Sequence, residues 1–232
     1  MALKEELEVA VEKIFRESWS SRDGQVVPDP EDIRLGNDAV KLEGTVLYAD
    51  MSDSTKLVDE KKPEFAAKVY KTYLSCAAKI IKSEGGDITA YDGDRVMAAF
   101  IGNIKNSTAA RTALKINHAV IKIINPAIRK QYPQTDYQLR HVVGIDTSSL
   151  LVARIGVRND NDLVWVGRAA NYAAKLCAIN EPNTIFITGE AFDRLHVDSK
   201  YGGIDKELMW KERQWSQMGD MRIYSSTWTW SL

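Results

Sequence analysis

The stretch DITAYDGDRVMAAF constrains the fold more than any other part of the chain. Asp92-Gly93 is a turn pair that favours a tight hairpin, so the flanking runs from Ile88 to Tyr91 and from Arg95 to Phe100 read as antiparallel strands. Asp94 then falls just past the turn. A second apolar run, VKLEGTVLYAD, starts after Ala39 and also stops at a carboxylate, Asp50. A carboxylate at the polar end of a buried strand is costly unless something positive meets it. If the two strands are neighbours, Asp50 and Asp94 lie side by side, a usual way to hold a pair of divalent cations against a triphosphate.

Periodicity supplies the surrounding elements. A helix begins near Pro63, and Phe65, Val69, Tyr73, Cys76 and Ile80 form its core-facing stripe until Gly85-Gly86 stops it. A second long helix runs from about Ser107, read as its N-cap, towards Ile128, with Pro126 kinking or ending it. Strands follow from Tyr137 to Asp146, Leu150 to Ile155 and Leu163 to Val166, then a helix through Asn171 and Lys175, then the strand TIFIT. This order is that of an α+β, ferredoxin-like sheet with helices packed on one face. The Trp- and Thr-rich tail from Leu208 to Leu232 lacks helical period and reads as strands edging that sheet. Its tryptophans are packing residues, since nothing charged or Gly-rich converges there.

Residues 4 to 19 place Leu7, Val9, Val11, Ile14, Phe15 and Trp19 in a loosely helical rhythm, and a polar, proline-containing connector follows. The expected organisation is an appended helix and linker over 1–38 and a single domain over 39–232. The helix covers the core or serves dimerisation.

Composition excludes several classes. With 232 residues, 44% hydrophobic and 27% charged, one ordinary globular core is expected. The 31 basic and 32 acidic residues nearly cancel, so no overall field draws the chain to nucleic acid or an anionic membrane, and a phosphate ligand must be met locally. Two cysteines and three scattered histidines form neither a disulfide framework nor a zinc motif. No stretch reaches the roughly 18 apolar residues of a membrane span, and the N-terminus has no signal-peptide run, so a cytoplasmic protein is expected.

The strings YADMSDST, GDRVMAAF, VVGIDTSSLLVARIG and VWVGRAANYAAKL, in this order and spacing, resemble the catalytic domain of class III adenylate and guanylate cyclases over about residues 40–190. The resemblance implies a head-to-tail homodimer with composite active sites. Asp50 and Asp94 match the aspartates that hold two Mg²⁺ or Mn²⁺ ions per site, with Met51 offering its backbone to metal. Ser52, Asp53, Ser54 and Thr55 lie where backbone groups meet phosphates. Asn171 matches the asparagine that orients the ribose. Lys175 stands in place of an arginine that neutralises the α-phosphate; it carries the charge without the bidentate fork, so Arg168 or Arg154 is a candidate to share the role.

Base recognition departs further from the purine enzymes. The positions of their polar base contacts hold Ala90 and Val164, and neither side chain can hydrogen-bond a base edge. Asp92 and Asp162 lie two residues away from those places. The chain thereby resembles the pyrimidine cyclases of the Pycsar antiphage systems, whose cyclic UMP or cyclic CMP product switches on a separate effector. UTP is the favoured substrate and CTP the next, with Tyr91 and Tyr48 as candidates to face the base. The alternatives are an adenylate or guanylate cyclase, a degenerate nucleotide-binding domain, and a diguanylate cyclase-like enzyme suggested by Gly85-Gly86-Asp87.

Overall fold

The computed structural model describes residues 2–157, 159–179, 181–182 and 184–232. In chain order the elements are α1 (Leu3–Arg16), β1 (Ser20–Asp23), a 3-10 turn (Pro30–Asp32), β2 (Asp38–Met51), α2 (Ser54–Glu60), α3 (Pro63–Ser83), β3 (Asp87–Asp92), β4 (Arg95–Phe100) and α4 (Lys105–His118). After a π-helical segment (Ala119–Ile124) come α5 (Asn125–Gln131), β5 (His141–Val157), β6 (Asp160–Val166), α6 (Arg168–Cys177), β7 (Thr184–Thr188), α7 (Gly189–Asp193), α8 (Val197–Lys200), a small β8–β9 ladder (Tyr201–Gly202, Glu207–Leu208), β10 (Lys211–Trp215) and β11 (Met221–Ser226).

One mixed sheet organises these elements, in the order β10-β11-β7-β5-β2-β4-β3. β1 adds in parallel to the start of β2, and β6 adds antiparallel to the end of β5. The fold is α+β as expected, but its helices cover both faces. Leu47, Ala49 and Met51 of β2 pack with Val69 and Tyr73 of α3 and with Leu114 of α4. The alternate residues Val40, Leu42 and Val46 pack instead with Ala169, Ala170 and Ala173 of α6, because successive strand residues point to opposite faces. The one-faced arrangement is therefore corrected: α6 lies opposite α3 and α4. It approaches closely, since a Cβ at Gly144 would fall 2.1 Å from the Ala173 carbonyl oxygen.

Four local expectations also change. β5 is one 17-residue strand rather than two, because Ser148 and Ser149 stay in the ladder opposite Gly44 and Glu43. Thr147 keeps its buried hydroxyl satisfied by donating to the Gly44 carbonyl (3.1 Å). The segment before His141 is not strand, and Leu139 is tied by the Asn125 side chain through two 2.9 Å hydrogen bonds. Ser107 is not a cap: α4 starts at Lys105, and the Ser107 hydroxyl accepts the His196 N–H (2.7 Å). Pro126 does not end the helix, because the preceding π turn carries the Asn125 N–H to the Val120 carbonyl and delivers proline to the first turn of α5, where no N–H is needed.

The connector between α1 and β2 is stitched to the sheet by β1, and Ile33 is fully buried in the α6-side core. The tail forms β10 and β11 at the sheet edge, while Trp228 and Trp230 pack on the α3/α4-side core. No helix among the described residues is long and apolar enough to cross a membrane.

Candidate active site

Asp50 is the penultimate residue of β2, with Arg95 and Val142 as its cross-strand neighbours. The hairpin closes between Asp92 and Arg95, so its central residues are Gly93, at φ +62°, and Asp94. Asp94 therefore occupies the turn itself, one residue earlier in the geometry than Asp92-Gly93 suggested. Strand order β2-β4-β3 brings this turn beside the end of β2. The two carboxylates feel each other: burial first and the charge of Asp94 second raise the Asp50 pKa to about 6, against the opposing charge of Arg95. Two like charges at strand ends, one poorly solvated, form a site that a cation would relieve.

Arg95 is a residue of the candidate site that the sequence reading missed. Its Nε donates to Asp92 (3.0 Å), its guanidinium lies 5.8 Å from the Tyr48 ring centroid, and it faces Asp50 across the ladder. The signal was available in the hairpin register, which pairs a cation with the final carboxylate of β2.

A cavity of about 260 Å³ opens beside Asp50 and is lined by Met51, Ser52, Asp53, Val142 and Cys177. Burial pushes the Cys177 thiol well up, and it donates to the Tyr48 carbonyl (3.4 Å), so it is a neutral wall. Within the expected phosphate turn, the Met51 side chain is buried, and the Met51 backbone helps to hold the Asp50 pKa down. The Ser52 N–H is committed to the Arg140 carbonyl (2.9 Å). Asp53 holds a left-handed conformation (φ 58°) and accepts from the Arg140 guanidinium. Ser54 and Thr55 open α2. On the far side of this turn a cavity of about 270 Å³ is lined by Lys56, Lys61 and Arg140 together with Asp53, Glu60 and Asp136, and Lys61 and Arg140 pair with Asp136 and Asp53.

Asn171 and Lys175 lie one turn apart on the exposed side of α6, and neither lines the Asp50 cavity. Among the described residues Lys175 reaches only the Met218 sulfur, at 3.9 Å. Arg168 is placed differently. It donates to the fully buried Asp146 (3.0 Å), to the Thr147 carbonyl (2.7 Å) and to Glu190, fastening the first turn of α6 to β5 and α7. Burial raises the Asp146 pKa, and hydrogen bonds from Thr188 and Arg168 oppose that rise. Arg154 is spent on Asn161 (2.6 Å).

Of the residues expected at the base, Ala90 sits at a bulge in β3, half-buried in the α6-side core, and Tyr91 is exposed. Leu163 and Trp165 belong to that same core, whereas Val164 alternates to the other side of β6. Ala90 and Val164 are thus not brought to one face within this chain. Asp92 is engaged by Arg95, and the Asp162 carboxylate accepts its neighbour's N–H from Leu163 (2.7 Å). Gly85-Gly86 ends α3 and does not form the hairpin, unlike a diguanylate cyclase signature.

Among the described residues no group of three or more His, Cys, Asp or Glu side chains gathers into a metal cluster. Two carboxylates without imidazole or thiolate suit hard oxygen-seeking cations that take their remaining ligands from water and phosphate. The donor set fits Mg²⁺ or Mn²⁺.

The family model for the adenylate and guanylate cyclase catalytic domain matches residues 40–218. The chain is 53% identical to a uridylate cyclase of Burkholderia cepacia, over all of both chains. It is 34% identical to a uridylate cyclase of Rhodovulum sp. (strain MB263), over 98% of this chain and 97% of that one. Among solved structures, the adenylyl cyclase CyaB from P. aeruginosa superposes with a TM-score of 0.69 at 23% identity, covering 81% of this chain and 95% of that one. The guanylyl cyclase Cya2 gives 0.69 at 19% identity, covering 82% and 94%.

Proposed function

We propose, because this chain belongs to the adenylate and guanylate cyclase catalytic-domain family, that it converts UTP to 3′,5′-cyclic UMP and pyrophosphate, with CTP as the next substrate. The observation that carries the reading is the Asp50–Asp94 pair in a chain whose full-length relatives are uridylate cyclases. Ala90 and Val164, at the positions the resemblance gives to purine base contacts, offer no hydrogen-bonding side chain, but they face opposite sides of the sheet, so the pyrimidine reading rests on the relatives rather than on this pair.

In the reaction the ribose 3′-oxygen attacks the α-phosphorus in line, the bond to the β-phosphate breaks, and the 3′-hydroxyl loses its proton. Two divalent ions held by Asp50, Asp94 and the Met51 backbone would supply the positive charge that acidifies the 3′-hydroxyl and binds the triphosphate. Asp50 presents its carboxylate from a strand end, and the charge of Arg95 opposes the rise in its pKa. The 51–55 turn lies between the two cavities and is the element against which the β and γ phosphates rest, with Lys56 beside them.

Asn171 and Lys175 act on the other half of the site. Because neither lines the Asp50 cavity of its own chain and both are exposed, they are read as serving the partner's aspartates in a head-to-tail dimer, Asn171 orienting the ribose and Lys175 neutralising the α-phosphate. Arg168 positions α6 for this task through Asp146. The cyclic product then serves as a messenger to a separate effector, in antiphage defence.

The test is incubation of the protein with ATP, GTP, CTP or UTP and Mn²⁺, with products resolved by mass. Cyclic UMP should dominate. A kcat/KM for ATP or GTP equal to or above that for both pyrimidines returns the chain to the purine cyclases.

A further inference from the structure

α1 presents an apolar stripe that nothing among the described residues covers. Every residue of the helix is exposed, including Leu7 and Ile14 at 56% each. Leu3, Leu7, Ala10 and Ile14 recur at intervals of four, three and four, the spacing of a two-helix seam. A lone 14-residue helix is marginal in water, so the stripe calls for a partner. Four glutamates against three basic residues on α1 disfavour an anionic lipid surface.

The pattern is complementary to itself when reversed. In an antiparallel pair with Leu7 facing Ala10 of the second helix, Leu3 faces Ile14, so each layer sets a large residue against a small or a branched one. A parallel pair would instead oppose Ala10 to Ala10 and leave a gap. In the antiparallel register Glu6 and Lys13, which flank the stripe on the same edge, meet each other's partner twice across the two-fold axis; in the parallel one Glu6 faces Val11 and finds no cation. Lys13 is otherwise held only by Glu17 at 3.8 Å, an exposed contact it can exchange.

The helix is also held in a definite place. The Asn37 side chain donates to the Ile14 (2.8 Å) and Glu17 (2.6 Å) carbonyls, and the following connector packs Val27 and Ile33 into the α6-side core. That is the sheet face from which Asp50 and α6 contribute to the active site.

We propose that α1 pairs antiparallel with α1 of a second copy, as an accessory seam of the catalytic dimer. The inference rests on the dimeric reading of the active site, and the experiment separates the two. The dimer constant is measured by fluorescence-detected sedimentation for the full chain, and uridylate cyclase activity is measured at protein concentrations well above that constant. Leu7→Asp with Ile14→Asp should weaken the dimer at least about tenfold. Glu6→Lys alone and Lys13→Glu alone should each weaken it about two- to fivefold, the range of an exposed ion pair, and the double swap should return to within about twofold of wild type. Activity at high concentration should be unchanged in all four. Loss of activity there would strike the composite-site reading, not the seam. An unchanged dimer constant in the stripe variant overturns the seam, as does a double swap no better than the singles or co-flotation of the wild type with phosphatidylglycerol vesicles. Should the stripe variant fail to fold, the charge swaps alone decide.

Discussion

His141 donates its Nε2–H to the Oδ1 of Asn117 across 3.0 Å, and the asparagine is itself oriented by the C-terminal tail. The Asn117 Nδ2 gives its hydrogens to the Thr227 (3.1 Å) and Trp228 (2.9 Å) carbonyls, so its oxygen must face the imidazole. The Nδ1 is left to accept from the Tyr73 hydroxyl at 3.4 Å. Tail, α4, β5 and α3 thus meet in one buried chain of hydrogen bonds, directly across the ladder from Met51.

This histidine makes stability depend on pH. Burial pulls its pKa from the ordinary 6.5 down to about 3, so between those values the unfolded chain binds a proton that the folded chain refuses. Its contribution is complete above about pH 6.5 and is lost as pH falls towards 3, by up to about 1.4 kcal/mol per pH unit. Asp50, with a raised pKa, acts in the opposite sense between about pH 4 and 6. Thermal melts of wild type and His141→Gln from pH 7.5 to 4.5 isolate the effect: the variant should be less stable at pH 7.5 and lose less on acidification. Parallel curves would refute it.

Asp50→Asn and Asp94→Asn should each lower kcat at least about a hundredfold at saturating Mn²⁺. Because ionised Asp50 is a poorly solvated charge beside Asp94, Asp50→Asn should melt no lower than wild type in metal-free buffer. Near-normal turnover in either variant, measured by cyclic UMP production, would show that the metal site lies elsewhere.

Mixing two dead variants tests the composite site. Equal amounts of Asp94→Asn and Lys175→Ala should recover up to about a quarter of wild-type activity, since half of the exchanged dimers are mixed and each carries one intact site of two. Subunit exchange confirmed by native mass spectrometry without any recovery would exclude contributions across the interface.

Arg168 separates positioning from chemistry. Arg168→Ala leaves Asp146 buried without its cation and should cost about 2–3 kcal/mol, read as a Tm several degrees lower. Asp146→Asn in the same chain should restore much of that loss. If instead Arg168→Ala melts like wild type but loses turnover, its guanidinium acts on substrate.

Much of this protein is decided by local chemistry and is legible in the chain. Asp50 follows from a strand that ends in a carboxylate, Asp94 and the β3–β4 hairpin from a turn whose glycine accepts positive φ, and α3 from a proline start and a glycine stop. What the chain alone did not decide depends on partners distant in sequence. Ser107 looked like a cap until His196, 89 residues away, claimed its hydroxyl. Arg168 looked free for a phosphate until the fold buried Asp146 beneath it, and Ala90 and Val164 looked like a matched pair until strand alternation turned them to opposite faces. Sequence periodicity records which side of an element is apolar. Which residue meets it, and whether a charge is spent inside the chain or left for a ligand, is settled only when the sheet brings separate segments within hydrogen-bonding distance.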